Sequence, residues 1–308
     1  MSKKQKIPKV LYHYCSVETF YSIIKNKSIW LSDISKSNDS KELNWIKERG
    51  YTYVLNCMVN YVEALERAGK LVDAPFDKYH EAEKVIKFSI ENETEKCWVF
   101  CLSEKVDDLG QWRGYSQDAS GIAIGIKTEY LLNLVGDNRF SDINDEKLHF
   151  DKVSYYKDSD SDAIFNSLLE IERGIEDLSN DEFTIMLKRA VVTALMFSPY
   201  YKSDYFKGES EWRLTLSMSC NEIHNGRLPD VRNEYMSSSY DYSLIKGKLV
   251  SHIELIFDNF SEAISSIWLG PKCELSEREV KLFLISKGYL KDLWDDSIKV
   301  YNSNASYR

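Results

Sequence analysis

Apolar and polar positions along the 308-residue chain switch repeatedly between a period near two and a period near 3.6. Val10-Leu11-Tyr12-His13-Tyr14, just after Pro8, predicts a first strand. Ser16 can then cap a helix whose apolar stripe is Phe20, Tyr21, Ile23 and Ile24, closed at Asn26-Lys27. Ser28 to Ser32 predicts a short strand, followed by a polar loop over 33–40. From Lys41 to about Ala68, Leu43, Ile46, Tyr53, Val54, Cys57, Met58, Tyr61, Val62 and Leu65 recur at helical spacing, and Gly50 is a point at which this run can split in two. A further helix is expected over Asp77–Ile90, behind Pro75.

The centre of the chain is Cys97–Ile126. It begins with an uncharged β-prone run, Cys97-Trp98-Val99-Phe100-Cys101-Leu102, ended by Ser103. After an acidic turn comes the polar-aromatic block Gln111-Trp112-Arg113-Gly114-Tyr115, and then a second buried-type run, Gly121 to Ile126. Beyond it the pattern predicts a helix at 129–135, a strand at 148–156, helices at 158–175 and 181–197, an irregular aromatic segment at 198–208, and a strand entered through Glu209-Ser210-Glu211-Trp212-Arg213. Strands at 246–258 and 263–269, a helix at 274–288 and an edge strand at 298–301 complete it. Strands and helices mix without a regular βαβ repeat, which indicates an α+β fold. The expected organisation is a single domain over 1–308 with helical insertions at about 40–92 and 158–197.

Charge and composition narrow the function classes. The chain carries 40 basic and 49 acidic residues, a net charge of −9, which argues against a broad basic face for nucleic acid. The six cysteines form no Cys-x-x-Cys pair and read as reduced thiols of a cytoplasmic protein, with neither zinc nor disulfides. The basic start, MSKKQKIPKV, lacks a signal-peptide core, and no apolar run approaches the roughly 20 residues of a spanning helix, so no membrane association is expected.

Three places collect reactive groups. His13 lies within an apolar strand, where a satisfied core histidine is the bland alternative. Gln111–Tyr115 packs an amide, an indole, a guanidinium and a phenol together, as a ligand pocket does and as a surface Arg–Trp stack also would. In an extended chain Glu209 and Glu211 project to one face, where a dry site would raise one carboxyl's pKa. The alternative is a solvated acidic edge paired with Lys207 or Arg213. No nucleophile elbow, Walker loop, Gly-x-Gly-x-x-Gly or His-Glu-x-x-His motif is present, and the five histidines are scattered, which leaves no support for a metal.

Leu11-Tyr12-His13-Tyr14-Cys15-Ser16, Ile29-Trp30-Leu31-Ser32-Asp33 with Asn38-Asp39 and Glu42, Gln111-Trp112-Arg113-Gly114-Tyr115, Glu211-Trp212-Arg213 and Ile267-Trp268-Leu269-Gly270-Pro271 together resemble the ordered signature of a large bacterial family of unknown function. That family in turn resembles the His-Tyr-Glu branch of the ADP-ribosyltransferases. The resemblance implies a mixed, mainly antiparallel sheet core and NAD as substrate. It implies transfer of ADP-ribose to a protein or nucleic-acid acceptor, or NAD hydrolysis, in a toxin or phage-defence effector. Within it Glu211 would stabilise the oxocarbenium-like state, Glu209 would orient or deprotonate the acceptor, and His13 would hold the adenosine ribose. Tyr115 or Trp112 would stack on nicotinamide, Arg113 or Arg213 would meet the pyrophosphate, and Tyr14, Ser103 and Gln111 would complete the NAD-binding set. A non-catalytic nucleotide sensor, or an interaction protein docking through the aromatic surface at 198–212, are the alternatives from other classes.

Overall fold

The uncharged run around Trp98 becomes the strand on which the sheet turns. In the computed structural model, residues 7–36, 42–70, 95–135, 148–157, 179–186, 198–232, 236–245 and 247–307 are described, with residues 77, 80, 84 and 87. The strands are β1 (Val10–Cys15), β2 (Ser28–Asp33), β3 (Glu95–Ser103), β4 (Ile122–Lys127), β5 (His149–Lys152), β6 (Ser154–Tyr156), β7 (Tyr201–Ser203), β8 (Glu211–Ser219), β9 (Met236–Ile245), β10 (Lys248–Phe257), β11 (Ile264–Leu269) and β12 (Lys299–Asn302). Ten of them form one sheet in the order β12-β11-β4-β1-β3-β2-β10-β9, with β8 along β3 and β5 along β8. Its pairings are antiparallel except β11 with β12, and β6 and β7 make a separate parallel ribbon. The fold is α+β with a mainly antiparallel core.

One detail of this topology creates the site. β8 pairs with β3 throughout, from Glu95↔Ser219 to Ser103↔Glu211. The opposite edge of β3 is shared, β2 taking Trp98 and Val99 and β1 taking Ser103 alone. β1 is held instead by β4, over six residue pairs. β1 and β2 therefore diverge along Phe100–Leu102, and the backbone there must find other partners.

The helices follow local signals. In α1 (Val17–Asn26) the Ser16 hydroxyl accepts from Thr19 N at 3.1 Å, and Lys27 ends the helix in the left-handed region at φ 54°. α2 (Glu42–Arg67) runs unbroken through Gly50, so the expected split does not occur. Its stripe of Tyr53, Val54, Cys57, Met58 and Tyr61 is buried, and that packing outweighs the weak helix propensity of one glycine. Tyr61 stacks on Phe183 at 4.0 Å and donates to Asn180. α3 (Leu109–Tyr115), α4 (Thr128–Val135), α5 (Cys220–His224) and α6 (Glu277–Ser286, opened by a Ser276/Glu279 capping box) complete the helices used below.

The strand expected over 148–156 is two, broken at Val153: its N–H donates to Glu211 O at 2.9 Å in the register of the β5–β8 ladder, and beyond it β6 pairs with β7 instead. β9 was not anticipated. Its Ser-Ser-Ser-Tyr-Asp-Tyr-Ser run has no apolar face, because this edge strand is mostly exposed and held by its ladder to β10. The helix expected at 158–175 and most of those at 77–90 and 181–197 lie outside the described residues; residues 77, 80, 84 and 87, which are described, are helical. All six cysteines are free thiols, and no helix among the described residues is long and apolar enough to cross a membrane.

Candidate functional site

His13 occupies the split between β1 and β2. Its Nδ1 lies 2.9 Å from the carbonyl of Cys101 on β3, and its ring stacks on Phe100 at 4.2 Å. A carbonyl only accepts, so Nδ1 carries the proton and Nε2 keeps its lone pair. Burial outweighs the help of the carbonyl and holds the imidazole down at a pKa of about 4, so His13 is neutral at physiological pH.

α3 supplies the second wall. Asp108 caps it, accepting from Gln111 N at 3.1 Å. Helical spacing then sorts the Gln-Trp-Arg-Gly-Tyr block by face. Gln111 and Tyr115, four apart, both border the cleft. Trp112 turns inward: it is fully buried, stands edge-on to Tyr14 at 4.7 Å and donates through Nε1 to Asp107 at 2.9 Å. Arg113 points away, with its guanidinium 5.6 Å from the Tyr307 ring centroid.

The third wall is the start of β8 with the segment before it. The two carboxylates converge, though not by the expected route. Glu209 ends a 3-10 turn (Asp204–Glu209), Ser210 adopts φ 47°, and the strand begins only at Glu211. They meet because Lys202, from β7, reaches both, at 2.8 Å from Glu209 Oε2 and 3.3 Å from Glu211 Oε2. Tyr115 donates to the other oxygen of Glu209 at 2.5 Å. Arg213 grips Glu211 in a fork, Nε to Oε1 at 2.8 Å and Nη2 to Oε2 at 3.0 Å, while its Nη1 donates to Pro199 O.

The electrostatics follow from these contacts. Burial acts to raise the Glu211 carboxyl, but the guanidinium of Arg213 and the ammonium of Lys202 outweigh it and hold the pKa at about 2. The expected upward shift of one carboxyl is thus corrected: two buried cations, and not Lys207, answer the paired anions. Tyr115 moves the other way, its phenol pushed up by burial and by the Glu209 carboxylate beside it. Ser103 ties the walls together, donating to Glu209 O at 2.6 Å and accepting from Lys105 N at 3.1 Å.

The walls enclose a cleft of about 170 Å³ containing His13, Tyr14, Ser103, Gln111, Tyr115, Glu209, Glu211 and Arg213. A groove of about 580 Å³ adjoins it along α1 and β2, and His13, Tyr14 and Tyr115 border both. Together they reach the few hundred to about 1,000 Å³ of a small-molecule site. Of the residues expected at the site, Trp112 and Arg113 are outside the cleft, Trp112 with no free ring face and Arg113 at the surface. Arg213 lines the cleft with its fork already filled by Glu211, which leaves no open fork for pyrophosphate. Asn38 and Asp39 lie outside the described residues.

Lys202, Phe206, Tyr12 and Cys101 line the cleft without having been singled out, and Tyr155 OH accepts from Glu211 N at 2.9 Å. Lys202 sat in a segment with no periodicity to give it a face. Among the described residues no group of three or more His, Cys, Asp or Glu is placed to hold a metal ion.

No curated protein and no solved structure matches the chain. Residues 111–214, about a third of the chain, match the model of a family described as protein of unknown function, DUF2971; the matched stretch opens at Gln111 and takes in α3, β7 and the Glu209–Arg213 segment, and so two of the three walls of the cleft.

Proposed function

We propose that the cleft binds NAD and that the chain cleaves it, as an ADP-ribosyltransferase or NAD glycohydrolase. The observation that carries this reading is a buried carboxylate, Glu211, held ionised at the mouth of β8 in one cleft with neutral His13 and the ring of Tyr115. In the reaction the bond between ribose C1′ and the nicotinamide nitrogen breaks, its electron pair leaving with nicotinamide. The oxocarbenium-like centre is stabilised by a fixed negative charge, which Glu211 supplies at any physiological pH. Water or an acceptor hydroxyl then bonds to C1′ and gives its proton to Glu209. Nε2 of His13, with its lone pair free of the Cys101 bond, accepts from a ribose hydroxyl. Tyr115, and not the buried Trp112, offers a ring to the base. The resemblance described above extends this to a bacterial toxin or phage-defence effector with a protein or nucleic-acid acceptor.

One feature favours a binding-only role, that of a nucleotide sensor: Glu211 already accepts from Arg213 twice and from Lys202 once, and a carboxylate has only about four lone-pair sites. Binding is the property both readings share. NAD at about 100 times its Kd is expected to stabilise the protein by about 2.7 kcal/mol, seen as a raised melting temperature. A melting temperature unmoved by saturating NAD and ADP-ribose would sink both.

A further inference from the structure

Gln111 is a buried polar side chain of the cleft that neither the mechanism above nor a protein contact uses. It is only 6% exposed, it borders the cleft, and its side-chain amide has no hydrogen-bond partner among the described residues. Its position is fixed, because its own N–H is spent on the Asp108 cap in the first turn of α3. Side chains this buried usually bond to protein; the Gln111 amide does not, and it is not one of the polar atoms cut off from water, so it is left to whatever fills the cleft. Such a group in a cleft wall is best explained by a ligand that completes it.

The chemistry of that ligand follows from the amide and its surroundings. A primary amide presents an acceptor oxygen beside two N–H donors. Its complement is another planar group offering donor and acceptor in the reverse order. One turn further along the same face, Tyr115 presents its ring, oriented by the bond from its hydroxyl to Glu209. The space beside them, about 170 Å³, admits one flat ring and not a whole dinucleotide. We propose that Gln111 reads the carboxamide of nicotinamide and so makes the site select NAD over its nicotinic acid counterpart. The inference rests on the NAD reading above. With a carboxamide, the Gln111 carbonyl accepts from the ligand N–H2 and the Gln111 N–H2 donates to the ligand carbonyl. A carboxylate in its place offers acceptors alone, so the Gln111 carbonyl goes unserved. Sites built on a reciprocal hydrogen bond reject the analogue that lacks it.

The test is calorimetric titration of the full chain with NAD, nicotinic acid adenine dinucleotide and ADP-ribose, in a Glu211→Gln background so that NAD is not consumed. NAD is expected to bind at least about tenfold tighter than the acid form. Adding Gln111→Leu, or Gln111→Met should the leucine variant not fold, is expected to bring the ratio within about twofold, leaving ADP-ribose, which lacks the ring, unaffected. Equal binding of the two dinucleotides before the Gln111 change, or a preference that survives it while ADP-ribose still binds, overturns the role of Gln111 and leaves the NAD reading standing. Binding of neither NAD nor ADP-ribose overturns both.

Discussion

Lys202 holds together a charge cluster that the protein cannot leave half-made. Its ammonium is buried against Glu209 and Glu211 and lies 4.6 Å from the Phe206 ring centroid. Removing one partner of a buried pair strands the other, which typically costs 3–5 kcal/mol. Lys202→Met is therefore expected to lower stability by about 3 kcal/mol in urea unfolding. A loss below about 1 kcal/mol would mean that the carboxylates are served by water or by Arg213 alone. Acid sensitivity belongs to the same scale. Glu211 is depressed to about 2, so its contribution is complete above its ordinary value of 4.5 and is lost as pH falls towards 2. His13 is also depressed, from 6.5 to about 4, but here the unfolded chain takes the proton first, and stability falls as pH drops through that window. His13→Gln, which keeps a donor for the Cys101 carbonyl without titrating, is expected to flatten the fall in melting temperature between pH 6.5 and 4. The slope that remains comes from His252, which burial lowers too, and at its acid end from the depressed Glu211 carboxyl. An unchanged slope would show that His13 is not buried as described.

The elements show where glycine is obligatory and where it is incidental. A Cβ on Gly121 would come within 2.1 Å of the Cys15 carbonyl, and backbone cannot step aside as a side chain can. Gly121→Ala is expected to cost about 3 kcal/mol by forcing β1 and β4 apart at the edge of the split. Gly114, exposed in α3 with nothing within 4 Å of a new Cβ, behaves oppositely, and Gly114→Ala is expected to add about 0.5 kcal/mol. Denaturant midpoints of the two variants moving in the same direction would contradict this packing. Elements with a strong local signal are legible in the sequence: the Ser16 cap and the buried run at Cys97–Leu102 stand where the pattern put them, and α6 lies within the helix expected over 274–288. Those defined by their neighbours were not. β9 exists because β10 offers a ladder, and the break at Val153 exists because β5 pairs with β8 and β6 with β7.

At the scale of the molecule, the split between β1 and β2 turns separate sequence motifs into one cleft. His13, Gln111, Tyr115, Glu209 and Glu211 were named from residue type, order and family resemblance, and β3 brings them together by pairing Ser103 with both Tyr12 and Glu211. Periodicity alone left open which aromatic of the 111–115 block faces a ligand; the Asp108 cap fixes the phase of α3 and turns Tyr115 to the cleft and Trp112 to the core. Lys202 could not be read at all, since its partners lie in three-dimensional contact across a turn whose left-handed Ser210 has no strong sequence signal.

The most direct test of the account is nicotinamide release from NAD by the purified protein, measured beside Glu211→Gln. The substitution keeps the shape of the side chain and removes its charge. Release by the unaltered chain is expected, with a loss of at least about a hundredfold in the variant and NAD binding retained. Equal release from both proteins would show that Glu211 is not the stabilising carboxylate. Absence of release from the unaltered chain, with NAD bound, would make the cleft a sensor of the nucleotide and not its catalyst.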